Sequence, residues 1–232
     1  MPENLTQTAL QSKTVGLFLD MYLPKDSIST QVPQNIGHNR LTRIIQDIHD
    51  RDEALRFSLL AISATRVGKD LGDEVVANQG LRMYSKALRQ VNLALQDPRR
   101  VLKDEVLAAC TMLASYEILQ KMDPAPGFSQ GINWRNHSQG VARLLELRGP
   151  DRHISGHSHQ LFTDIRYGAI VGAITARKAT FLAKPEWKSI PWSISPKTFK
   201  DRTLDVLADV AGMLENFDHL QATAKTSPSA PS

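Results

Sequence analysis

The strongest constraint on the fold is a pair of apolar segments separated by a Pro/Gly-rich stretch. The first segment, residues 104–122, has apolar side chains on nearly every side, and a helix without a polar face is one that other helices surround. The second segment, residues 134–148, places His137 and Ser138 on the same side as its apolar residues, which are Trp134, Val141, Leu144 and Leu145. The prolines and glycines between the segments cannot continue a helix, so the sequence predicts a helical hairpin with a long loop.

The rest of the chain repeats this helical spacing and shows no alternation typical of a β-strand. Further helices are predicted over residues 15–23, 41–48, 52–67, 73–96, 159–183 and 204–217. We therefore predict an all-α fold, an irregular bundle of packed helical hairpins with six to eight helices. One domain is expected over residues 15–220, between a loose N-terminus (residues 1–14) and a tail (residues 221–232) that is disordered by composition.

Composition excludes several classes of protein. Hydrophobic residues make up 41% and charged residues 22% of the 232 residues, which is ordinary for a soluble globular protein. The net charge of +4 is spread over small basic groups, which we interpret as solvated helix ends: Arg99-Arg100-Lys103, Arg177-Lys178 and Lys197-Lys200-Arg202. The single cysteine, Cys110, excludes an intramolecular disulfide and a multi-cysteine metal site, and we expect it to be a small buried hydrophobe. No secretory signal or membrane span is recognised, so the sequence predicts a soluble intracellular protein.

The hairpin also carries a family resemblance. Tyr116-Glu117, the loop, Trp134-x-x-His137-x-x-Gly140 and then Leu147-Arg148-Gly149-Pro150 resemble the signature of the fungal-specific transcription factor domain, the helical regulatory region of zinc-cluster transcription factors. The segments at residues 84–95 and 161–192 are similar to the flanking helices of that family. The resemblance covers roughly residues 15–220.

The resemblance implies a regulatory domain that acts in transcription through protein partners or self-association. Secondary metabolism is one process that it allows, and a small-molecule effector is another expectation. The family's DNA-binding element is a six-cysteine zinc cluster, which these 232 residues do not contain, so we expect no direct DNA binding by this chain, no metal and no cofactor. We expect a truncated or stand-alone domain, located in the nucleus by resemblance, with the cytoplasm as the alternative because no import segment is evident.

The residues singled out for ligand binding are Tyr116, Glu117, Trp134, His137 and Arg148. Glu117 and His137 have two interpretations. They could form an acid–base dyad, or a buried polar pair that satisfies its own hydrogen bonds. No enzyme motif accompanies them, so we expect no catalytic residue and favour the structural interpretation. The alternative is a helical scaffold or an orphan enzyme that reuses the fold with a Glu117/His137 site.

Three further features have a functional and a structural interpretation. His153, His157 and His159 could converge on a metal, but we favour a solvated loop that is rich in histidine. Gly140 is expected to permit close helix packing. The helix at residues 204–217 is expected to expose apolar side chains, which favours self-association.

Overall fold

The structure is a computed structural model that describes residues 2–22, 44–45, 47–121 and 132–226. Over these ranges the chain forms α-helices joined by short 3-10 helices and turns, without a strand. The α-helices are α1 (Pro2–Tyr22), α2 (Glu53–Leu71), α3 (Glu74–Gln96), α4 (Asp104–Lys121), α5 (Ile132–Arg148), α6 (Gly156–Ala176), α7 (Pro185–Ser189) and α8 (Phe199–Thr226). The prediction of an all-α fold is confirmed.

The chain divides into two compact units, residues 1–144 and 145–232. The boundary between the units falls inside α5, and the expectation of one domain over residues 15–220 stays a prediction. Residues 134–148 form one continuous helical pattern, and periodicity does not record which neighbours each end of a helix contacts. The predicted loop before α5, residues 123–133, lies largely outside the described residues.

The hairpin of α2 and α3 forms the centre of the first unit. Asp52 caps the start of α2 by accepting a hydrogen bond from the backbone N–H of Ala54 at 2.9 Å. The helix ends at Gly72, whose φ of 67° is the left-handed conformation that glycine adopts without a steric penalty. Because α3 begins two residues later, the two helices run antiparallel to each other.

Two glycines let the backbones of α2 and α3 come very close. A Cβ atom added to Gly80 would lie 2.0 Å from Oγ1 of Thr65, and one added to Gly68 would lie 2.3 Å from the backbone nitrogen of Ala77. The sequence placed Gly68 at the end of the helix, but it lies inside α2 and serves this contact. Gly140, which we expected at such a contact, is exposed and has no described atom within 4 Å of its Cβ position.

The N-terminus differs from the prediction. Residues 2–14, expected to be loose, form the first part of α1, where proline at the first helical position is well tolerated. Thr14 and Phe18 on this helix are buried, and α1 packs against α2. The polar composition of residues 2–14 concealed a helix that tertiary contacts stabilise.

The helix α4 is largely but not wholly surrounded. The residues that it buries are Val106, Leu107, Ala108, Ala109, Met112, Leu113, Tyr116 and Glu117. Ala114 and Ser115 remain partly exposed, and Ile118 is exposed. The apolar composition therefore predicted the buried face correctly and overstated its width.

In the second unit, α6 and α8 lie against each other. The helix α6 ends at Arg177, which has a φ of 53°, rather than at residue 183. The segment that follows contains α7 and two 3-10 helices, Phe181–Ala183 and Ile190–Trp192. The helix α8 continues to Thr226, so residues 221–226 of the expected disordered tail are helical.

We predict that Gly80→Ala destabilises the first unit by about 1–3 kcal/mol, because its new methyl group overlaps the backbone of α2. The matched control is Gly140→Ala in the same unit, which meets open space and should stabilise the protein by about 0.5–1 kcal/mol. Urea unfolding followed by circular dichroism measures both changes. Equal effects of the two substitutions would contradict the close contact at Gly80.

Candidate functional site

Three helices of the first unit bring together a cluster of two tyrosines, a glutamate and a threonine. Tyr116 and Glu117 are adjacent on α4 and both are buried. The ring of Tyr84 on α3 stacks on that of Tyr116, with a centroid distance of 4.5 Å. The hydroxyl of Tyr84 donates a short hydrogen bond to Oε1 of Glu117. Thr65 on α2 adds a weaker hydrogen bond to the hydroxyl of Tyr116 at 3.4 Å. We call these four residues the tyrosine–glutamate cluster.

The electrostatics of this cluster favour a neutral tyrosine. The pKa of Tyr84 is raised, first by burial of its hydroxyl, then by the hydrogen bond to Glu117 and by repulsion from that carboxylate. A protonated Tyr84 can donate its proton to Glu117, whereas a phenolate could not. The cluster therefore binds its carboxylate through a phenol and does not generate a nucleophile at neutral pH.

A second buried polar group lies in the second unit. Arg148, at the end of α5, donates to Oγ of Ser158 at 2.9 Å. The same hydroxyl lies 3.0 Å from Nδ1 of His153, which is fully buried. Aromatic rings enclose that histidine, with the centroid of Phe162 at 5.6 Å and that of Trp187 at 6.0 Å. The polar atoms of this group thus lie against an aromatic core.

The most deeply buried charge of the second unit is Arg166 on α6. Its side chain is 0% exposed, and it forms an ion pair with Asp205 of α8. Nη1 donates to the backbone oxygen of Asp201 at 3.1 Å. Lys197 is a second ion-pair partner of Asp205, and the guanidinium of Arg166 lies over the ring of Trp192, 5.6 Å from its centroid. This pairing joins α6 to α8 through a charge that water does not reach.

The residues proposed from sequence are thus distributed over two compact units. Tyr116 and Glu117 lie together in the first unit, and Arg148 lies in the second. Trp134 and His137 belong to α5, but their side chains are outside the part of the chain that the structure describes. The ligand-binding role of these five residues stays a prediction, and so does the dyad of Glu117 and His137.

The interpretation of the histidine-rich segment as a solvated loop is wrong for His153. His153 was assigned to a solvated loop, but it ends a 3-10 helix, Pro150–His153, and is buried. Ser155 occupies the N-cap position of α6, but its side chain makes no capping hydrogen bond. The hydroxyl of Ser158, within α6, accepts a hydrogen bond from Arg148. Among the described residues, no group of three His, Cys, Asp or Glu side chains could hold a metal ion.

The expectation that Cys110 is a small buried hydrophobe is only partly confirmed. The residue keeps some exposed surface, while burial of the thiol raises its pKa to about 12. A thiol with that pKa is almost fully protonated at neutral pH and is a poor nucleophile.

Sequence reasoning missed two important side chains, Tyr84 and Arg166. Both were noticed only within the family resemblance. Tyr84 follows Gly80 by four residues, so it lies on the face of α3 that approaches α2, and this spacing is the signal that could have identified it. No local signal marks Arg166 as buried, because its partners on α8 are 35 and 39 positions away in the chain.

Comparison with known proteins identifies the family. A sequence model described as the fungal specific transcription factor domain matches residues 17–212. The chain belongs to this family. The match of the fungal specific transcription factor domain extends over both compact units.

A curated relative gives less detail. The chain is 25% identical over 212 residues to an uncharacterized protein of Emericella nidulans. The aligned region covers 89% of this chain and 43% of the relative, so the chain spans less than half the length of that protein. No solved structure matches the chain. Among the described helices of this transcription factor domain, none is long and apolar enough to cross a membrane.

We predict that Tyr84→Phe lowers the free energy of unfolding by about 1–2 kcal/mol at pH 8, because Glu117 loses a hydrogen bond to a half-buried partner. The difference in free energy of unfolding between wild type and the variant should become smaller above pH ~10. There the unfolded wild-type chain releases the Tyr84 proton while the folded chain holds it, so wild type loses stability that the phenylalanine variant never had. Tyr167→Phe on exposed α6 surface is the matched control and should change little. Urea unfolding from pH 8 to 11 measures these values, and a constant difference at all pH values would contradict the prediction.

A second prediction concerns the buried ion pair. Asp205→Ala should destabilise the second unit by about 3–5 kcal/mol, because the guanidinium of Arg166 stays buried without its carboxylate. Asp209→Ala on the same helix removes an exposed ion pair with Lys188 and should cost at most about 1 kcal/mol. Thermal unfolding of the two variants tests this, and similar losses would count against a buried pair.

Proposed function

We propose that this chain is a regulatory domain of a fungal transcription regulator that acts through protein contacts and does not itself bind DNA. The family match over residues 17–212 supports the regulatory part of this proposal. Ion pairing of the basic side chains supports the absence of direct DNA binding.

Half of the eight basic residues that sequence analysis singled out are paired with carboxylates, namely Arg100, Arg177, Lys178 and Lys197. Arg100 forms a two-pronged contact with Asp52, at 3.1 and 2.8 Å. Arg177 pairs with Asp218 at 2.6 Å, and Lys178 pairs with Glu215 at 2.8 Å. A protein that binds DNA needs lysines and arginines that can neutralise phosphates. Here the neighbouring acidic residues already neutralise much of that charge, which favours partners other than nucleic acid.

The proposed location is the nucleus, because the family acts in transcription. The chain could enter the nucleus with a partner, so a cytoplasmic pool is compatible with the proposal. Secondary metabolism is one process that such a domain could regulate, and profiling of transcripts in a deletion strain would identify the genes concerned. The alternative of an orphan enzyme is not favoured, since the family is one of transcription factors and Glu117 is bound to a neutral tyrosine.

The proposal predicts two results for the complete chain. Tethered to an unrelated DNA-binding domain, the chain should change transcription of a reporter that carries the matching sites. Added without the tether to random and promoter DNA, it should bind no more tightly than about 1 μM at physiological salt, the range of non-specific association. Reporter assays and gel-shift titrations measure the two results.

The control for the reporter assay is the Gly80→Ala variant, whose weakened first unit should reduce the effect at equal protein level. A reporter that the tethered wild type leaves unchanged would contradict a regulatory function. Tight, sequence-dependent DNA binding by the untethered chain would contradict the absence of DNA contact.

A further inference from the structure

The helix α8 exposes a long row of large apolar side chains. Phe199 is 87%, Val206 63%, Met213 67% and Leu220 70% exposed, and these residues follow one another at intervals of seven. Phe217 is 53% exposed and lies four residues after Met213. At about 100° per residue, all five side chains fall within an arc of about 60°. We call this row the α8 stripe.

The opposite face of α8 is already used. Leu204, Ala208 and Ala211 are buried and lie at helical spacing on the side that contacts α6. The helix is therefore apolar on two opposite faces, and a helix of that kind is normally buried on both. Within the described chain only one of the two faces is covered.

We propose that the α8 stripe binds the same stripe of a second copy of this chain. Apolar residues repeated every seven positions are the pattern by which two helices pack side by side. A stripe of one kind is complementary to itself, which is the requirement for a two-fold symmetric dimer. The stripe extends about 32 Å along the helix at roughly 1.5 Å per residue, so two copies can make contact along several turns.

The exposed area suits such a dimer. A fully covered aromatic side chain buries about 150–250 Å², and the aliphatic side chains of the stripe bury less. Five side chains that are more than half exposed therefore offer on the order of 500 Å² of apolar surface. A standard protein interface buries about 800 Å² per partner, with an apolar centre and a polar rim. The α8 stripe supplies the apolar centre, and the polar residues beside it supply the rim.

The acidic side chains of α8 also permit two copies to approach. Asp205 pairs with Arg166 and Lys197, and Asp209 pairs with Lys188. Glu215 and Asp218 pair with Lys178 and Arg177. Because its own unit neutralises these carboxylates, two copies of α8 meet without the repulsion that unpaired acidic helices would experience.

A second row of exposed leucines is a weaker candidate. Leu81, Leu88 and Leu95 on α3 also lie seven residues apart, but they are only 50%, 37% and 44% exposed. Much of their surface is already covered within the first unit. The α8 stripe has more residues, and each of them is more exposed.

The test is the mass of the complete chain between about 1 and 100 μM, measured by sedimentation equilibrium. Wild type should change from monomer to dimer with concentration. Met213→Lys should weaken the dimer at least about tenfold, since it places a charge at the centre of the apolar contact, and Val206→Lys should do the same. Leu147→Lys, a change of an equally exposed helical residue in the same unit (61% exposed), should leave the dimer unchanged.

Circular dichroism shows whether each variant remains folded. A wild-type chain that stays monomeric at 100 μM, that forms aggregates without a definite mass, or that dimerises equally well with Met213→Lys would overturn the inference. The inference rests on the proposed function in one respect, because it identifies the dimer as one of the protein contacts through which the domain acts. A monomer that still regulates the tethered reporter would reject the dimer alone, whereas a dimer that leaves the reporter unchanged would reject the regulatory function alone.

Discussion

The first unit depends on the close approach of two helices at Gly68 and Gly80. At both positions the backbone of the facing helix occupies the space that a side chain would need. This contact fixes the register of α2 against α3, since a shift along the helix would bring larger residues into the gap. Tyr84 lies one turn beyond Gly80 and therefore reaches Tyr116 and Glu117 on α4. The tyrosine–glutamate cluster is thus a consequence of how closely two backbones can pack.

The second unit is organised around buried polar groups. Arg166 joins α6 to α8 and is held by Asp205, while aromatic rings cover its guanidinium. Isolated buried charges are costly, so the ion pair constrains which arrangement of the helices is stable. The ion pair therefore fixes which face of α8 is directed towards α6. With Asp205 and Leu204 directed to its own unit, the row from Phe199 to Leu220 must face outwards. The exposed stripe and the buried ion pair are therefore two results of one orientation.

Sequence reasoning succeeded where local spacing carries the information. Intervals of three and four residues predict one buried face of α3. Gly80, Met83, Ala87 and Val91 on that face are buried, whereas Val76 is half-buried and Leu95 is exposed. It failed at boundaries and at single polar residues. Residues 2–14 seemed too polar for an ordered helix, yet α1 is held by contacts of Thr14 and Phe18. His153 seemed solvated, yet it is enclosed by rings that follow later in the chain.

The sequence by itself determined the helical class, the positions of most helices and the family, because periodicity and short motifs are properties of neighbouring residues. It also indicated that Glu117, if buried, would need a polar partner. Only the tertiary structure decided that Tyr84 donates a hydrogen bond to Glu117, that Arg148 lies in a different compact unit from Glu117, and that α8 has a second apolar face that the described chain does not cover. These facts depend on contacts between residues tens of positions apart, and the spacing of residues within one helix does not specify which other helix will lie against it.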